Sequence, residues 1–127
     1  MIDLDDFKQI NDRYGHKAGD DTRRAVVSTL KGRLRGSDLV ARIGGDEFAV
    51  LLPHLGRAQE VGVVETLRTA IEQITVSSAH GHTVGSSIGL AFIDERSASI
   101  DVVLAEADRA MYAAKRAVKL AATANVI

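Results

Sequence analysis

The amino-acid sequence predicts an α+β fold in which helices flank a central, antiparallel-rich sheet. Apolar residues recur at helical spacing in segments 20–34, 57–74 and 100–118. Two apolar segments, 37–43 and 48–52, flank a diglycine, which is a strong signal for a β-hairpin. Helix, hairpin, helix, strand and helix therefore follow one another, and this order is typical of helices packed on an antiparallel sheet.

The first helices are expected to be separated by glycines. A short helix is predicted over 7–11, and Gly15 and Gly19 are expected to interrupt it. The long helix that follows is predicted to be capped by Asp20 or Asp21, because a carboxylate accepts hydrogen bonds from the first amides of a helix.

Further strands are predicted around the second long helix. Segment 48–52 is apolar on both faces, which predicts a central strand covered on both sides, and Pro53 ends it. Segments 75–78 and 83–93 are predicted to form a short and a long strand. One face of the long strand is small, which predicts that a helix or backbone packs close to it: Ser87, Gly89 and Ala91.

Composition limits the classes of function. With 127 residues, 46% hydrophobic and 26% charged, the chain is expected to form a single domain, 1–127. The net charge of −1 gives no electrostatic reason to expect nucleic acid or a membrane surface as a partner. The chain has no cysteine for a disulfide or thiolate metal site, and no apolar run approaches the roughly 20 residues of a membrane-spanning helix. A cytoplasmic location fits these features.

Two acidic groups are candidates for chemistry. Asp3, Asp5 and Asp6 stand near the start, and Asp46 and Glu47 follow the diglycine. Mg²⁺ prefers oxygen ligands and commonly takes one or two carboxylates together with phosphates and water. The alternative is structural, since acidic residues are also common at turns and helix starts.

The diglycine, Gly44-Gly45, has two interpretations that are compatible with each other. Without Cβ atoms, these residues let a ligand lie against the backbone. A tight hairpin turn that requires positive φ would select glycine at the same positions.

Two lysines of the last predicted helix, Lys115 and Lys119, are four residues apart and therefore point to one side. They are candidates for contacts with phosphate groups. A solvated helix face is the alternative interpretation of the same spacing.

A cation and a carboxylate, Arg35 and Asp38, lie three residues apart just before the hairpin. Arginine can bind guanine or phosphate in a bidentate manner, and aspartate can accept from a guanine edge. The alternative is a helix end, with Arg35 near the negative pole and Gly36 as the C-terminal cap.

Four blocks of the sequence carry a family resemblance: 3–20, 42–48, 87–89 and 107–115. Together, and in this order across nearly the whole chain, they resemble the GGDEF-domain diguanylate cyclase family. The second block contains the GGDEF signature itself. The resemblance implies a nucleotidyl-cyclase-like fold with a ferredoxin-like core.

The resemblance also implies roles for individual residues. Asp46 and Glu47 match the catalytic signature positions, and Asp46 is implied to help deprotonate the attacking hydroxyl. The implied metal set is Asp3, the carbonyl of Leu4, Asp46 and Glu47. The implied substrate set is Phe7, Lys8, Asn11, Asp20, Gly44, Gly45, Lys115 and Lys119, in which Asn11 and Asp20 read guanine. The implied inhibitory site for the product consists of Arg35, Asp38 and Arg42.

The implied reaction joins two GTP molecules into cyclic di-GMP with release of pyrophosphate, and Mg²⁺ or Mn²⁺ serves as cofactor. In this family each domain holds one GTP, so a homodimer of domains is the expected active form. An upstream sensory domain and a location in the bacterial cytoplasm are expected as well.

The two ends depart from the family pattern. Only Met1 and Ile2 precede Asp3, whereas the family normally has an amino-terminal helix and most of a central strand there. A truncated first strand is therefore expected, and a fragment, a replacement segment and an inactive domain all remain open as explanations. Near the other end, Val118 stands in place of a glycine. The alternative function is a catalytically inactive module that binds GTP or cyclic di-GMP for regulation.

Overall fold

The fold is an antiparallel four-stranded sheet with helices on both of its faces. A computed structural model describes residues 1–124, with side chains through Ala121. The strands are β1 (Ile2–Asp5), β2 (Leu39–Arg42), β3 (Glu47–Leu51) and β4 (Gly85–Ile88). The α-helices are α1 (Phe7–Tyr14), α2 (His16–Arg33), α3 (Glu60–Glu72) and α4 (Ile100–Ala124). Short 3₁₀ turns occupy Arg57–Gln59 and Ser77–Ala79. The predicted α+β class is confirmed.

The strands lie in the order β2-β3-β1-β4, and all neighbours are antiparallel. Strand β1 lies inside the sheet, where Ile2 is opposite Phe48 of β3 and also opposite Ile88 of β4. The first strand is short, as predicted, but Asp3, Leu4 and Asp5 belong to it in addition to Ile2. It is therefore paired with a neighbouring strand on both sides.

The two faces of the sheet have different chemistry because side chains alternate along each strand. Ile2, Leu4 and Phe48 point to one face, where they are buried against α1, α2 and α3. Helix residues complete this core: Phe7, Ile10, Val26, Leu30, Leu67 and Ile71. The other face carries Asp3 and Glu47, and it is the face on which α4 packs.

The helix boundaries differ from the prediction at the start of the chain. Helix α1 continues to Tyr14, and α2 already begins at His16, so Gly19 lies inside a helix instead of interrupting one. A Cβ atom on Gly19 would overlap the side chain of Asn11. This glycine is therefore explained by close packing between α1 and α2. The predicted caps are also wrong, because Gly15 precedes α2 and no side chain caps it.

Three strand predictions need correction. Segment 75–78 contains no strand, because a 3₁₀ turn with a buried Ala79 follows α3. The predicted strand 83–93 is regular only over Gly85–Ile88. Strand β3 is internal, as predicted, but it is not covered on both sides: Leu51 is 47% exposed and Leu39 beside it is 62% exposed. Helix α4 crosses β4 and β1 and leaves the outer face of β2 and β3 open.

Close packing is confirmed at Gly89, directly after β4. A Cβ atom there would overlap the α4 backbone at the carbonyl oxygen of Ala107 and the amide nitrogen of Met111. We expect Gly89→Ala to lower the free energy of unfolding by about 1–3 kcal/mol, because a helix backbone cannot yield as a side chain can. Urea denaturation measures this change.

Gly62→Ala is the matched control, since a Cβ on this α3 residue meets no atom within 4 Å. In a helix interior that substitution should be neutral or stabilising by up to about 1 kcal/mol. Equal losses in the two variants would contradict the close contact at Gly89.

In the described part of the chain, no helix combines the length and apolar character needed to span a bilayer.

Candidate active site

The predicted carboxylates meet where β1, β3 and the hairpin loop adjoin. Asp3 and Glu47 are directly opposite in the antiparallel register of β1 and β3. Asp46 directly precedes β3, and its carbonyl accepts a 3.0 Å hydrogen bond from the amide of Leu4. Two stretches that are far apart in sequence therefore form one acidic cluster: Asp3, Asp5, Asp46 and Glu47.

Lys115 of α4 covers this acidic cluster. Its ammonium donates to Asp3 Oδ2 at 2.8 Å and lies 3.8 Å from Asp5 Oδ1. The hydroxyl of Ser87 on β4 donates to the same Asp5 oxygen at 2.7 Å. One cation thus faces several carboxylates. Lys119, which was predicted to act together with Lys115, is exposed one turn further along α4.

The cluster has more negative charge than Lys115 neutralises. Burial and the charge of Asp3 raise the pKa of Asp46 above its usual range. Burial raises the pKa of Glu47 as well, with contributions from Asp3 and Asp108. Burial disfavours the ammonium of Lys115, but its hydrogen bond to Asp3 and the nearby carboxylates outweigh that effect, and its pKa is raised. The cluster is therefore suited to attract further positive charge.

An orphaned carboxylate oxygen at this site is available as a ligand for a divalent metal. Asp3 Oδ1 is buried and has no hydrogen-bond partner, although its other oxygen is bound to Lys115. Among the residues that the structure describes, no group of three or more histidine, aspartate or glutamate side chains is arranged to hold a metal ion by itself. Mg²⁺ does not need one, since it commonly uses one or two carboxylates and completes its shell with phosphate and water.

The raised pKa of Asp46 predicts a pH-dependent gain in stability for Asp46→Asn. The pKa of Asp46 is higher in the folded than in the unfolded protein. Folding therefore becomes less favourable as the pH rises from the unfolded-state pKa to the folded-state pKa, and above that interval the full cost remains, including at neutral pH. In EDTA at pH 7 the free energy of unfolding of the variant should therefore be higher than that of wild type. The gain should not exceed about 1 kcal/mol, because solvent screens this partly buried group. Denaturant titrations across the pH range should show the difference shrinking toward about pH 4. A variant less stable than wild type at pH 7 would contradict the charge repulsion.

The diglycine does not form the tight turn that the sequence suggests. The loop runs from Ile43 to Asp46, and the amides of Ile43 and Gly44 both donate to the Glu47 carbonyl. The φ angles of Gly44 and Gly45 lie outside the left-handed region, and a Cβ on either would meet no atom within 4 Å. Neither backbone strain nor packing accounts for these glycines. What remains is open space along the loop, which suits the close approach of a ligand.

The predicted base-reading residues lie on α1 and α2 beside this loop. Asn11 Oδ1 is buried without a hydrogen-bond partner, in space that Gly19 leaves free. Asp20 is exposed, and its Oδ1 accepts from Arg23 at 2.7 Å. Phe7 is buried and Lys8 is exposed in the first turn of α1. Amides of a first helical turn have no acceptor within the helix and are suited to bind phosphate.

Arg23 is a residue of this region that the sequence patterns did not identify. Its Nε donates to the Gly45 carbonyl at 2.6 Å, and its guanidinium lies 4.6 Å from the centroid of the Phe7 ring. The sequence contained one signal for it, namely the helical (i, i+3) spacing from Asp20. Ser87 was predicted only as a small packing residue, and its hydrogen bond to Asp5 was missed.

Arg35 and Asp38 form a closed local pair. The Asp38 carboxylate accepts from the Arg35 amide at 2.7 Å and from its guanidinium at 3.3 Å, and Arg35 Nη2 also donates to the Pro53 carbonyl at 2.6 Å. The hydrogen bond from the Arg35 amide lowers the pKa of Asp38. The predicted cap at Gly36 is wrong, because α2 ends at Arg33. Arg42, at the far end of β2, donates to the Gly44 carbonyl and lines a different hollow.

Comparison with known proteins decides the family. The model of the family described as "Diguanylate cyclase, GGDEF domain" matches residues 1–120. The chain belongs to the GGDEF-domain diguanylate cyclase family. The chain is 44% identical over 118 residues to diguanylate cyclase TpbB of Pseudomonas aeruginosa, and 41% identical over 115 residues to diguanylate cyclase DgcM of Escherichia coli. Each alignment covers 91% of this chain and 27% of the relative.

Solved structures agree with this GGDEF assignment. The GGDEF domain of DgcB from Caulobacter crescentus, in complex with cyclic di-GMP, superposes with a TM-score of 0.82 at 30% identity. That match covers 91% of this chain and 70% of the DgcB domain chain. The predicted family and its nucleotidyl-cyclase-like fold are confirmed.

Proposed function

We propose that this GGDEF domain is a diguanylate cyclase, which condenses two GTP molecules into cyclic di-GMP and releases pyrophosphate. The observation that carries the proposal is the acidic cluster, in which Asp3, Glu47 and Asp46 meet beneath Lys115. A cluster with a raised carboxylate pKa, an orphaned buried oxygen and one cation matches the needs of a metal-bound triphosphate.

In the proposed reaction, the 3′-hydroxyl of each GTP attacks the α-phosphate of the other, so that two phosphodiester bonds form and two pyrophosphates leave. Mg²⁺ or Mn²⁺, when bound, lowers the pKa of the attacking hydroxyl and neutralises charge on the phosphates. Asp3, Asp46, Glu47 and the carbonyl of Leu4 would hold the metal. Asp46 would also help to take the proton from the hydroxyl, a role that a raised pKa favours.

The remaining predicted residues would bind the nucleotide around this centre. Lys115 would exchange its contact with Asp3 for one with a phosphate oxygen, and Lys119 would add positive charge one turn away. The amides of Phe7 and Lys8 would hold the terminal phosphates. Asn11 and Asp20 would read guanine, and Gly44 and Gly45 would let the nucleotide pass along the loop. The buried, unpartnered oxygen of Asn11 supports this arrangement, since it needs a donor such as a guanine N–H.

A single domain holds only half of the proposed reaction centre. Because each domain would bind one GTP, two domains must meet with their acidic clusters face to face. We therefore propose a homodimer of domains as the active form, in the bacterial cytoplasm and under control of an upstream sensory domain. The chain spans 27% of the length of the relatives TpbB and DgcM, so these larger-scale features are proposals for the whole protein.

Product formation tests the proposal. Pure protein incubated with GTP and Mg²⁺ should yield cyclic di-GMP and pyrophosphate in a ratio of one to two, detected by chromatography and a coupled pyrophosphate assay. The rate per mole of protein should rise with protein concentration, because two domains must meet. GTP consumption without cyclic di-GMP, or a rate per mole independent of dilution through the dimer dissociation range, would contradict it.

The alternative is a catalytically inactive module that binds GTP or cyclic di-GMP for regulation, and the intact Arg35–Asp38 pair favours it as a second candidate. This pair is the proposed inhibitory site for cyclic di-GMP, while Arg42, the third residue expected there, lines a different hollow. Equilibrium binding of cyclic di-GMP without any turnover of GTP would support the inactive module.

Arg35→Ala distinguishes the inhibitory site from the catalytic one. The cyclase should keep its initial rate in this variant, while inhibition by cyclic di-GMP should weaken by about tenfold or more, because the arginine donors are lost. Initial rates measured at several cyclic di-GMP concentrations give the inhibition constant. Inhibition that persists unchanged would show that the site lies elsewhere.

A further inference from the structure

The Arg23 side chain joins three separate segments of the proposed nucleotide site. Nε donates to the Gly45 carbonyl in the hairpin loop, and Nη1 donates to Asp20 Oδ1 one helical turn earlier. The guanidinium also covers the Phe7 ring at the start of α1. Asp20, Phe7 and Gly45 all belong to the proposed substrate set. The Arg23 side chain therefore contacts a residue proposed to read the base, the helix turn proposed to bind phosphate, and the diglycine loop.

An ordinary surface ion pair does not explain this arrangement. Asp20 and Arg23 alone would be an exposed (i, i+3) pair of small effect. However, the Arg23 side chain is 19% exposed, whereas its neighbour Arg24 is 80% exposed and lies 3.6 Å from Asp21. The contact with Gly45 spans 22 residues, and it is a charge-assisted hydrogen bond to a loop whose glycines are conformationally permissive. Arg23 is therefore placed to hold the loop against α2.

We propose that Arg23 is a positioning residue for guanine recognition, which orients the Asp20 carboxylate and fixes the diglycine loop beside it. The inference rests on the proposed function, because Asp20 is assigned to guanine there. A carboxylate recognises guanine by accepting from its N1–H and 2-amino groups, and this needs a defined side-chain orientation. Arg23 supplies it from one side by binding Oδ1.

The planar guanidinium is required for this double contact. Nε and Nη1 point in different directions within one plane, so they reach the Gly45 carbonyl and the Asp20 carboxylate at once while the flat face rests on Phe7. A lysine ammonium is a point charge on a flexible stem and cannot make the same set of contacts. Arg23→Lys should therefore behave as an intermediate between wild type and Arg23→Met.

Two readouts on the full chain test the proposal, with Arg24→Met as the matched control. The first is amide hydrogen exchange of the ligand-free loop, where Ile43 and Gly44 donate to Glu47. The second is the ratio of equilibrium dissociation constants for ITP and GTP in Mg²⁺, since ITP lacks the 2-amino group. Arg23→Met should speed loop exchange about tenfold and reduce the preference for GTP about tenfold, and Arg24→Met should change neither.

Unchanged loop exchange and an unchanged ITP-to-GTP ratio in Arg23→Met would overturn the proposal. Equal weakening of both nucleotides would also contradict it, since ITP can lose only the N1–H contact with Asp20, whereas GTP loses the contact through its 2-amino group as well. A wild type that binds both nucleotides equally would contradict the proposed function and, with it, the guanine role. The exchange comparison would then still decide whether Arg23 holds the loop, so the two failures are distinguishable.

Discussion

Replacement of Asp46 by asparagine is expected to lower the rate of cyclic di-GMP formation by about a thousandfold or more, the range for loss of a catalytic base or metal ligand. Asparagine keeps the size of the side chain but loses its charge and its ability to take a proton. The protein should remain folded and become slightly more stable, because the burial of the Asp46 charge and its repulsion with Asp3 are both removed. Loss of activity together with a gain in stability is characteristic of a functional carboxylate and not of a structural one.

Initial rates with GTP and Mg²⁺, combined with urea denaturation, measure both effects on the same samples. Asp101→Asn is the matched control, since it makes the same change at an exposed residue of α4. It should leave the rate within about twofold, as expected for a surface substitution. An Asp46→Asn variant that keeps most of its activity would remove Asp46 from the reaction.

Replacement of Lys115 by methionine is expected to affect both stability and activity. The Asp3 side chain is 8% exposed and that of Lys115 is 21% exposed, so the variant leaves a nearly buried carboxylate without its cation. We expect a loss of about 2–3 kcal/mol in the free energy of unfolding in EDTA. Activity should fall about a hundredfold even where the variant is folded, because the proposed contact of Lys115 with a phosphate would be lost.

Added Mg²⁺ separates the two roles of Lys115. If the metal binds at Asp3, it should restore part of the stability lost in Lys115→Met, and it should stabilise this variant more than wild type. Arg116→Met is the control, since it removes a positive charge from the exposed side of the same helix. A Lys115 variant as stable as Arg116→Met in EDTA would show that the ion pair with Asp3 contributes little.

The fold could be predicted because its periodic signals agree with its packing. The hairpin and the long helices were recognisable from apolar spacing, and the core on Ile2, Leu4 and Phe48 follows from strand alternation. Gly19 was misinterpreted because a glycine that breaks an isolated helix is also the residue that lets two helices approach closely. The end of β4 is not visible in the apolar pattern of the sequence, because it is set by pairing with β1. That regular pairing ends near Gly89, whose amide donates to the Met1 carbonyl.

The carboxylates of the candidate site could be predicted from the sequence, but the side chains that form hydrogen bonds around them could not. Asp3 and Asp46 were recognisable as members of motif blocks, and the antiparallel register of β1 and β3 then brings their strands together. The contacts of Arg23 and Ser87 depend on the position of α2 over the loop and of β4 beside β1. Such long-range contacts have no short-range pattern in the sequence. The diglycine is the opposite case, because a short-range pattern predicted a tight turn with positive φ and the structure has an open loop there instead.

The metal dependence of GTP binding tests the central claim most directly, because it examines the acidic cluster without requiring dimerisation or turnover. Equilibrium dialysis of GTP is compared in Mg²⁺ and in EDTA for wild type and Asp46→Asn. Wild type should bind GTP at least about tenfold more tightly in Mg²⁺, and Asp46→Asn should lose most of this difference. Equal GTP affinity with and without metal in wild type, or an unaltered metal effect in Asp46→Asn, would contradict a metal–nucleotide site at this cluster.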